Sequence, residues 1–297
     1  MYIQNNLQKK LTVTTFLLPS ILGMIIFSFI PIVISLYFST LDYDILIPFN
    51  QAKFIGIDNF TKLLSKTELY SVLSHTLYYM ILYIPLILIS SLLMASLLNR
   101  DFKGSTFYKI LFYIPVITSW VAGAVIWKWI LNSKFGFLNQ WLGFIGIPGP
   151  NWLFDKYWAM PGIVIAAIWK DTGYYALIFL AALKGVDKSY HEAAIIDGAN
   201  KFQRLTRITL PLISPTMFLV IIMNVIGGFQ VFESVYIMTG GGPANATTII
   251  VERIYANAFR FLKMGYASAY AWVLFLIIFI ITMIQLKLQK RWVNYDT

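Results

Sequence analysis

An aspartate and a tyrosine three residues apart, Asp171 and Tyr174, interrupt the apolar run "AAIWKDTGYYALIF". On a helix that spacing puts both side chains on one face. A carboxylate accepts hydrogen bonds from hydroxyl groups, and an aromatic ring packs on the apolar face of a pyranose, so the pair suits recognition of polyhydroxylated molecules. Lys170 beside them leaves a structural ion pair, or contact with another subunit, as the alternative. A second polar group stands in "MNVIGGFQVFES": Asn224, Gly227, Gly228, Gln230 and Glu233. Paired glycines permit either close helix packing or a wider cavity, and an amide in hydrocarbon needs a partner. Trp120 is a further candidate, although aromatic rings in such runs also pack or anchor.

The elements that carry these groups follow from composition. The chain has 297 residues, of which 59% are hydrophobic and 12% charged. Its mean hydropathy of +0.71 excludes an ordinary soluble domain. A hydrocarbon core needs roughly 20 apolar residues per helical span. Six runs of about that length occur, at 13–38, 76–99, 107–131, 159–183, 212–238 and 266–288. The expected fold is a single all-α polytopic membrane domain over 1–297 with six transmembrane helices. A net charge of +10 would suggest nucleic acid in a soluble protein, but here the placement of the bases matters more. With the N-terminus inside, Lys9, Lys10, Arg100, Lys103, Lys109, Lys184, Lys188, Lys201, Arg204, Arg207, Lys287, Lys290 and Arg291 fall on the cytoplasmic side. Fewer bases fall outside, which places both termini in the cytoplasm. The first apolar run continues to Phe38 without a small-residue cleavage pattern, so it reads as a retained span and not as a signal peptide.

Other chemistry is poorly served. Cysteine is absent, which excludes disulfides and thiol catalysis, and His75 and His191 are too far apart in sequence to suggest a metal cluster. A membrane-embedded enzyme would need paired acids with histidine or a metal motif within its spans. A secondary transporter remains an alternative class, but neither inverted repeats nor a carboxylate relay is visible. The first outer loop predicts a short amphipathic helix from Asn59, with Phe60, Leu64 and Leu69 on the membrane surface. "TGGGP", residues 239–243, reads as a flexible hinge; it lacks the lysine and hydroxyl residue of a phosphate loop.

One stretch is far more polar than its surroundings: "EAAIIDGANKFQRLTRITLPL", within 187–211 and its flank. Ser189 and Glu192 have the spacing of a capping box. A helix running to Asp197, broken by Gly198, would resume with Phe202, Leu205 and Ile208 on one side and Arg204 and Arg207 on the other. Pro211 would open the fifth span. Two readings stand: an interfacial loop whose bases meet lipid phosphates, with Glu192 only a cap, or a docking helix whose small residues Ala193 and Ala194 let another protein approach the backbone.

The stretch resembles the signature of permease subunits of ATP-binding-cassette importers: Glu192, Ala193, Ala194, Gly198, Ile208, Leu210 and Pro211 match its pattern. "FIGIDNF", "WLFDKYWAM", "FQVFESVYIMTGGGP" and "MGYASAYAW" are similar to the sugar-importer branch, of the maltose-system F type. That branch often has aspartate where Glu233 stands, and the large inserted outer domain of the maltose subunit is lacking. The resemblance implies the type I importer permease fold in a bacterial cell membrane and a carbohydrate cargo, or alternatively glycerol phosphate or another polyol. It implies a second-type permease partner, two ATPase subunits that bind ATP and magnesium, and an extracytoplasmic solute-binding protein. This chain would itself hold no cofactor or metal and hydrolyse nothing. The helix carrying Glu192, Ala193, Ala194, Asp197 and Gly198 would couple to the ATPases. Trp120, Asp171, Tyr174, Asn224, Gly228, Gln230 and Glu233 would line the substrate path.

Overall fold

The computed structural model describes residues 6–100 and 104–294, the side chains of residues 6–9 excepted. Lys103 and the side chain of Lys9 lie outside the described residues. Internal contacts divide the chain into two compact units, Met1–Lys66 with Ile254–Val273, and Thr67–Arg253 with Leu274–Thr297.

In the first unit, α1 (Asn6–Met24) passes through a π turn, Ile25–Phe29, into α2 (Ile30–Ser39). The wider turn lies immediately before Pro31, whose ring and missing N–H disfavour regular helix there. A two-residue antiparallel ladder follows, with Leu41 opposite Phe54 and Asp42 opposite Lys53. Next comes α3 (Asp58–Ser65), one residue ahead of the predicted start. Asn59 is buried and its amide donates to the carbonyls of Ser39 and Leu41 at 3.0 and 2.8 Å, pinning α3 to the end of α2. A Cβ at Gly265 would strike the Leu41 carbonyl, so this glycine allows the chain after residue 254 to close against the same corner.

The second unit opens with α4 (Thr67–Leu98), a helix nine residues longer at its start than the run first recognised at Thr76. Leu69 is therefore buried in a helix and is not on a membrane-facing loop. Two bent pieces follow, α5 (Ser105–Ile117) and α6 (Trp120–Ile130), and then the short α7 (Phe137–Phe144). The long α8 (Ala159–Gly185) leads to α9 (Lys188–Ile196), α10 (Lys201–Arg204), a π turn Leu205–Thr209 and α11 (Leu210–Leu212). After Ile213 come α12 (Ser214–Phe229) and α13 (Glu233–Met238). The remaining helices, α14 (Ile250–Tyr255) and α15 (Met264–Leu288), cross between the units.

Helices α4 and α8 form the spine of this unit, because α8 presents alanine and glycine on its buried face and lets neighbours approach closely. A Cβ on Gly173 would collide with the Phe112 carbonyl of α5. At one end Ala95, Leu98, Phe179, Leu180 and Leu183 bury together with Ile213 and Val220. Near α7, Trp152 is buried, donates its indole N–H to Asn139 at 2.7 Å and stacks edge-on against Trp158, a structural role for this ring.

Four helices are long and apolar enough to cross a membrane, and six spans result if each of two bent pairs counts as one. The bends revise two of the predicted spans. The run 107–131 is not one helix: α5 and α6 meet at 99° across Thr118 and Ser119. Ser119 caps α6 by accepting from the Ala122 N–H, and the break frees α5's last carbonyls. The run 212–238 likewise bends by 72° at Ile213, so Pro211 belongs to the preceding surface helix and Ser214 opens the apolar one. That helix stops at Phe229, before the short α13. Hydropathy cannot register either bend, because the residues on both sides are apolar.

Candidate functional site

A cavity of about 490 Å³ lies within the second unit, walled by α4, the α5–α6 break, α8, and the α12–α13 break. It gathers every residue that was assigned to the substrate path: Trp120, Asp171, Tyr174, Asn224, Gly228, Gln230 and Glu233. Both helix breaks contribute to its wall, with Val116 and Trp120 from one and Gln230 to Ser234 from the other. Irregular backbone at membrane depth is tolerated where it is buried in protein or lines a cavity.

Asp171 accepts a hydrogen bond from the Tyr83 hydroxyl at 2.7 Å. Lys170, next in sequence, faces elsewhere. Its ammonium donates to the carbonyls of Pro115, Val116 and Thr118 at 3.1, 3.0 and 2.7 Å, with only 7% of the residue exposed. They lie at the break after α5, where the Pro115 carbonyl also accepts from the Thr118 N–H, so the lysine acts as a C-terminal cap delivered from another helix. The alternative of a Lys170–Asp171 ion pair thus gives way to two separate roles. The ammonium also lies 5.7 Å from the centre of the Trp120 ring, a cation–π contact that holds the indole beside the cavity.

On α12 the two glycines divide the two functions that sequence left open. A Cβ at Gly228 would come within 2.9 Å of Met80, whereas one at Gly227 would meet nothing within 4 Å. Gly228 permits packing on α4 and Gly227 widens the cavity. Asn224 is 1% exposed; its amide donates to the Val220 carbonyl at 2.8 Å, and its Oδ1 has no hydrogen-bond partner among the described residues. Ser234 Oγ is equally buried and unpartnered. Gln230 ends α12 as its exposed cap residue, and Glu233 is exposed in the first turn of α13.

Three tyrosines of the wall were missed in the sequence: Tyr79 and Tyr83 on α4, whose rings stack at 5.3 Å, and Tyr175 on α8. The i, i+4 spacing of the first two on an apolar helix was the available signal. Among the described residues, no group of three or more histidines, aspartates and glutamates is placed to hold a metal ion.

The polar segment also differs from its first reading. Asp187, not Ser189, caps α9: its carboxylate accepts from the Ser189 N–H at 2.9 Å. That hydrogen bond, with a second from the Ser189 side chain, holds the Asp187 carboxyl below its usual range. Glu192 takes no part in a cap and is exposed. The capping box sits instead at α10, where Asn200 and Gln203 each accept from the other's backbone N–H, at 2.9 and 2.8 Å. Ala193 is exposed but Ala194 is buried, so only the former is open to a partner. Gly198 has φ +74°, and beyond it the Ala199 N–H reaches back to the Ala194 carbonyl at 2.9 Å, closing the helix end. Around Glu192 the surface is apolar: Ile196 is 86% exposed and Phe202 72% exposed, with Tyr190 and Ile195 also open. The expected two-sided second helix is disrupted by the π turn at Leu205–Thr209, which shifts the register of Ile208 relative to Phe202.

The glycine-rich turn is tied down. Thr247 Oγ1 donates to the Gly242 carbonyl at 2.6 Å and pairs with Thr239 Oγ1 at 2.7 Å, while Thr248 Oγ1 reaches the Gly241 carbonyl. Side-chain hydrogen bonds on both strands of the turn argue against the flexible hinge expected from glycine content.

Comparison with known proteins gives a consistent picture. Residues 60–294 match the family described as binding-protein-dependent transport system inner membrane component. The probable ABC transporter permease protein YesP of Bacillus subtilis is 37% identical over 95% of this chain and 91% of its own length. The sn-glycerol-3-phosphate permease UgpA of Pectobacterium atrosepticum is 31% identical over 94% of both chains. The trehalose/maltose permease MalF of Thermococcus litoralis is 30% identical over 97% of this chain and 99% of its own. Among solved structures, a bacterial alginate ABC transporter in complex with its periplasmic protein has a chain that superposes with a TM-score of 0.82. It is 23% identical over 96% of each chain, which establishes likeness of fold.

Proposed function

The chain belongs to the family of binding-protein-dependent transport system inner membrane components, and from that premise we propose that it is the permease subunit of an ATP-driven carbohydrate importer. It forms half of a heterodimeric pore in a bacterial cell membrane, beside a second-type permease. Two ATPase subunits bind ATP and magnesium, and a solute-binding protein delivers the cargo from outside.

One observation carries the reading: the exposed helix around Glu192 and the cavity are two ends of a single covalent path. From α9 the chain turns at Gly198, runs through α10, the π turn and α11, bends at Ile213, and continues as α12. The far end of α12 supplies Asn224, Gly227 and Gly228 to the cavity wall. Displacement of α9 by an ATPase subunit would therefore be transmitted to the cargo contacts through a short chain of helical segments bent at Gly198 and Ile213. Glu192, Ala193, Asp197 and Gly198 form the docking end; Ala194 supports it from beneath. Ile195, Ile196 and Phe202 supply the apolar area that a protein partner would cover.

In the cavity, Asp171 and Gln230 would hydrogen-bond cargo hydroxyls, with Trp120 and Tyr174 offering ring faces. Glycerol phosphate or another polyol is the second reading, favoured by the likeness to the sn-glycerol-3-phosphate permease.

The test is reconstitution of the chain with its second permease, ATPases and binding protein in lipid vesicles. Binding protein loaded with one carbohydrate from a panel should stimulate ATP hydrolysis and drive uptake of that carbohydrate. No stimulation by any loaded binding protein would overturn the importer reading. Within the working complex, Asp171→Ala and Gln230→Ala should raise the apparent KM for cargo; unchanged uptake kinetics in both would remove them from the path.

A further inference from the structure

We propose that the cavity admits uncharged polyhydroxylated cargo and turns anionic cargo away, with Asp171 and Glu233 setting this charge preference. The proposal rests on the importer reading above and decides between its two substrate classes.

The wall contains two carboxylates, Asp171 and Glu233, and no lysine, arginine or histidine. The nearest cation on these elements, Lys170, directs its three hydrogen bonds to the carbonyls that end α5 and is separated from the cavity by its own burial. It has no donor left for a phosphate or carboxylate. Sites that bind such anions rely on arginine forks, lysines or converging backbone N–H groups, and these walls present none of the charged kind.

Hydrogen-bond polarity points the same way. Asn224 gives one of its two amide N–H groups to the Val220 carbonyl, and its buried Oδ1, an acceptor, has no partner among the described residues. Tyr83 spends its O–H on Asp171, whose other oxygen can only accept while it is ionised. Glu233 is likewise an acceptor at the exposed end. A sugar hydroxyl satisfies such groups because it donates as well as accepts. A phosphate dianion or a uronate carboxylate group offers acceptors only, so it would oppose the charge of Asp171 and Glu233. Apolar walls around the cavity reduce screening and enlarge this penalty.

The experiment uses the complete complex in proteoliposomes. Neutral oligosaccharides are each paired with a derivative in which one C6 hydroxymethyl is oxidised to a carboxylate, and binding protein is saturated with each probe. Wild-type complex should import the neutral member at least about tenfold faster. Asp171→Asn keeps the shape and the oxygen that accepts from Tyr83, and Glu233→Gln lies at the exposed end, so both should assemble. Each should narrow the ratio by admitting more uronate. Equal uptake of the two probes by wild type overturns the proposal, and so does a ratio that neither variant moves, which would place the filter in the binding protein or the partner permease. A complex that imports and hydrolyses in response to none of the probes defeats the importer reading itself, and the selectivity falls with it.

Discussion

The cavity wall and the exposed segment around Glu192 belong to one unit, yet opposite kinds of residue are informative in each. In the wall the informative groups are polar: Asp171 accepts from Tyr83 and the Asn224 amide donates to Val220, while Lys170, behind the wall, binds three carbonyls. An unpaired oxygen there, such as Asn224 Oδ1, stands out because nothing in hydrocarbon can satisfy it. In the exposed segment, polar pairing is local and routine: the caps at Asp187 and Asn200, and the Thr206 and Thr209 hydroxyls on carbonyls of their own helix. What stands out there is apolar area, Ile196 and Phe202 open beside a carboxylate. The cavity wall is thus read through its buried polar groups and the exposed segment through its uncovered apolar side chains.

The strongest way to break the comparison is through Lys170. If the lysine is a cap for the end of α5, Lys170→Met should strip the lysine's hydrogen bonds from the Val116 and Thr118 carbonyls at a buried break, the Pro115 carbonyl keeping the Thr118 N–H, and destabilise the chain by roughly 3 kcal/mol. Thermal unfolding of the purified complex would measure it, and Lys170→Arg should recover much of the loss. A methionine variant as stable as wild type would mean that the break closes without the lysine.

Glu192→Lys addresses the other region. Because Glu192 is exposed and caps nothing, reversing its charge should leave the permease pair assembled and the fold unaltered. Cargo-stimulated ATP hydrolysis should fall by about tenfold or more if the ATPase docks here, since a cation would replace the carboxylate presented to it. Normal stimulation in a variant that assembles normally would remove the docking role.

How much of this could be read from the sequence differs between the regions for physical reasons. The helical spans were legible because hydrocarbon thickness imposes a length on apolar runs. The two bends were not, since Thr118–Ser119 and Ile213 are bracketed by apolar residues on both sides and break backbone geometry without breaking hydropathy. Asp171, Asn224 and Gln230 were visible as polar residues in oily surroundings, and they do line one cavity. Tyr79 and Tyr83 were invisible because tyrosine is ordinary in an apolar helix until a neighbour such as Asp171 takes its hydroxyl. In the exposed segment, spacing suggested a cap at Ser189 and Glu192, but Asp187, two residues earlier, has extended backbone geometry and a stronger acceptor. Several possible caps in succession cannot be ranked by spacing alone.

Adjacent glycines sharpen the comparison within the wall. Gly228→Ala forces a Cβ against Met80, and overpacking of this kind costs about 1–2 kcal/mol when the neighbour is a flexible methionine. Gly227→Ala meets no atom within 4 Å and gains helix propensity, so stability should hold or rise slightly. Uptake should respond differently: the methyl group at 227 enters the cavity and should raise the KM for cargo while leaving ATPase docking alone. Thermal melts and uptake kinetics on the two variants separate packing from volume. Equal effects on stability would mean that both positions pack.

The smallest effect expected belongs to Asn200. It closes a reciprocal pair with Gln203 at the start of α10, so Asn200→Ala should cost about 1 kcal/mol of local stability, the usual worth of such a cap. The segment is exposed and linked to the rest of α12 through a π turn, so global unfolding should hardly register the loss. Amide hydrogen exchange across residues 201–209 should register it, as faster exchange confined to that stretch. The consequence for coupling follows from the path described above: a frayed α10 is a softer link between α9 and α12, so cargo-stimulated ATP hydrolysis should fall less than with Glu192→Lys while basal hydrolysis stays unchanged. Faster exchange with full stimulation would mean that α10 is not part of the lever, and that α9 acts on the cavity by a route other than the chain that joins them.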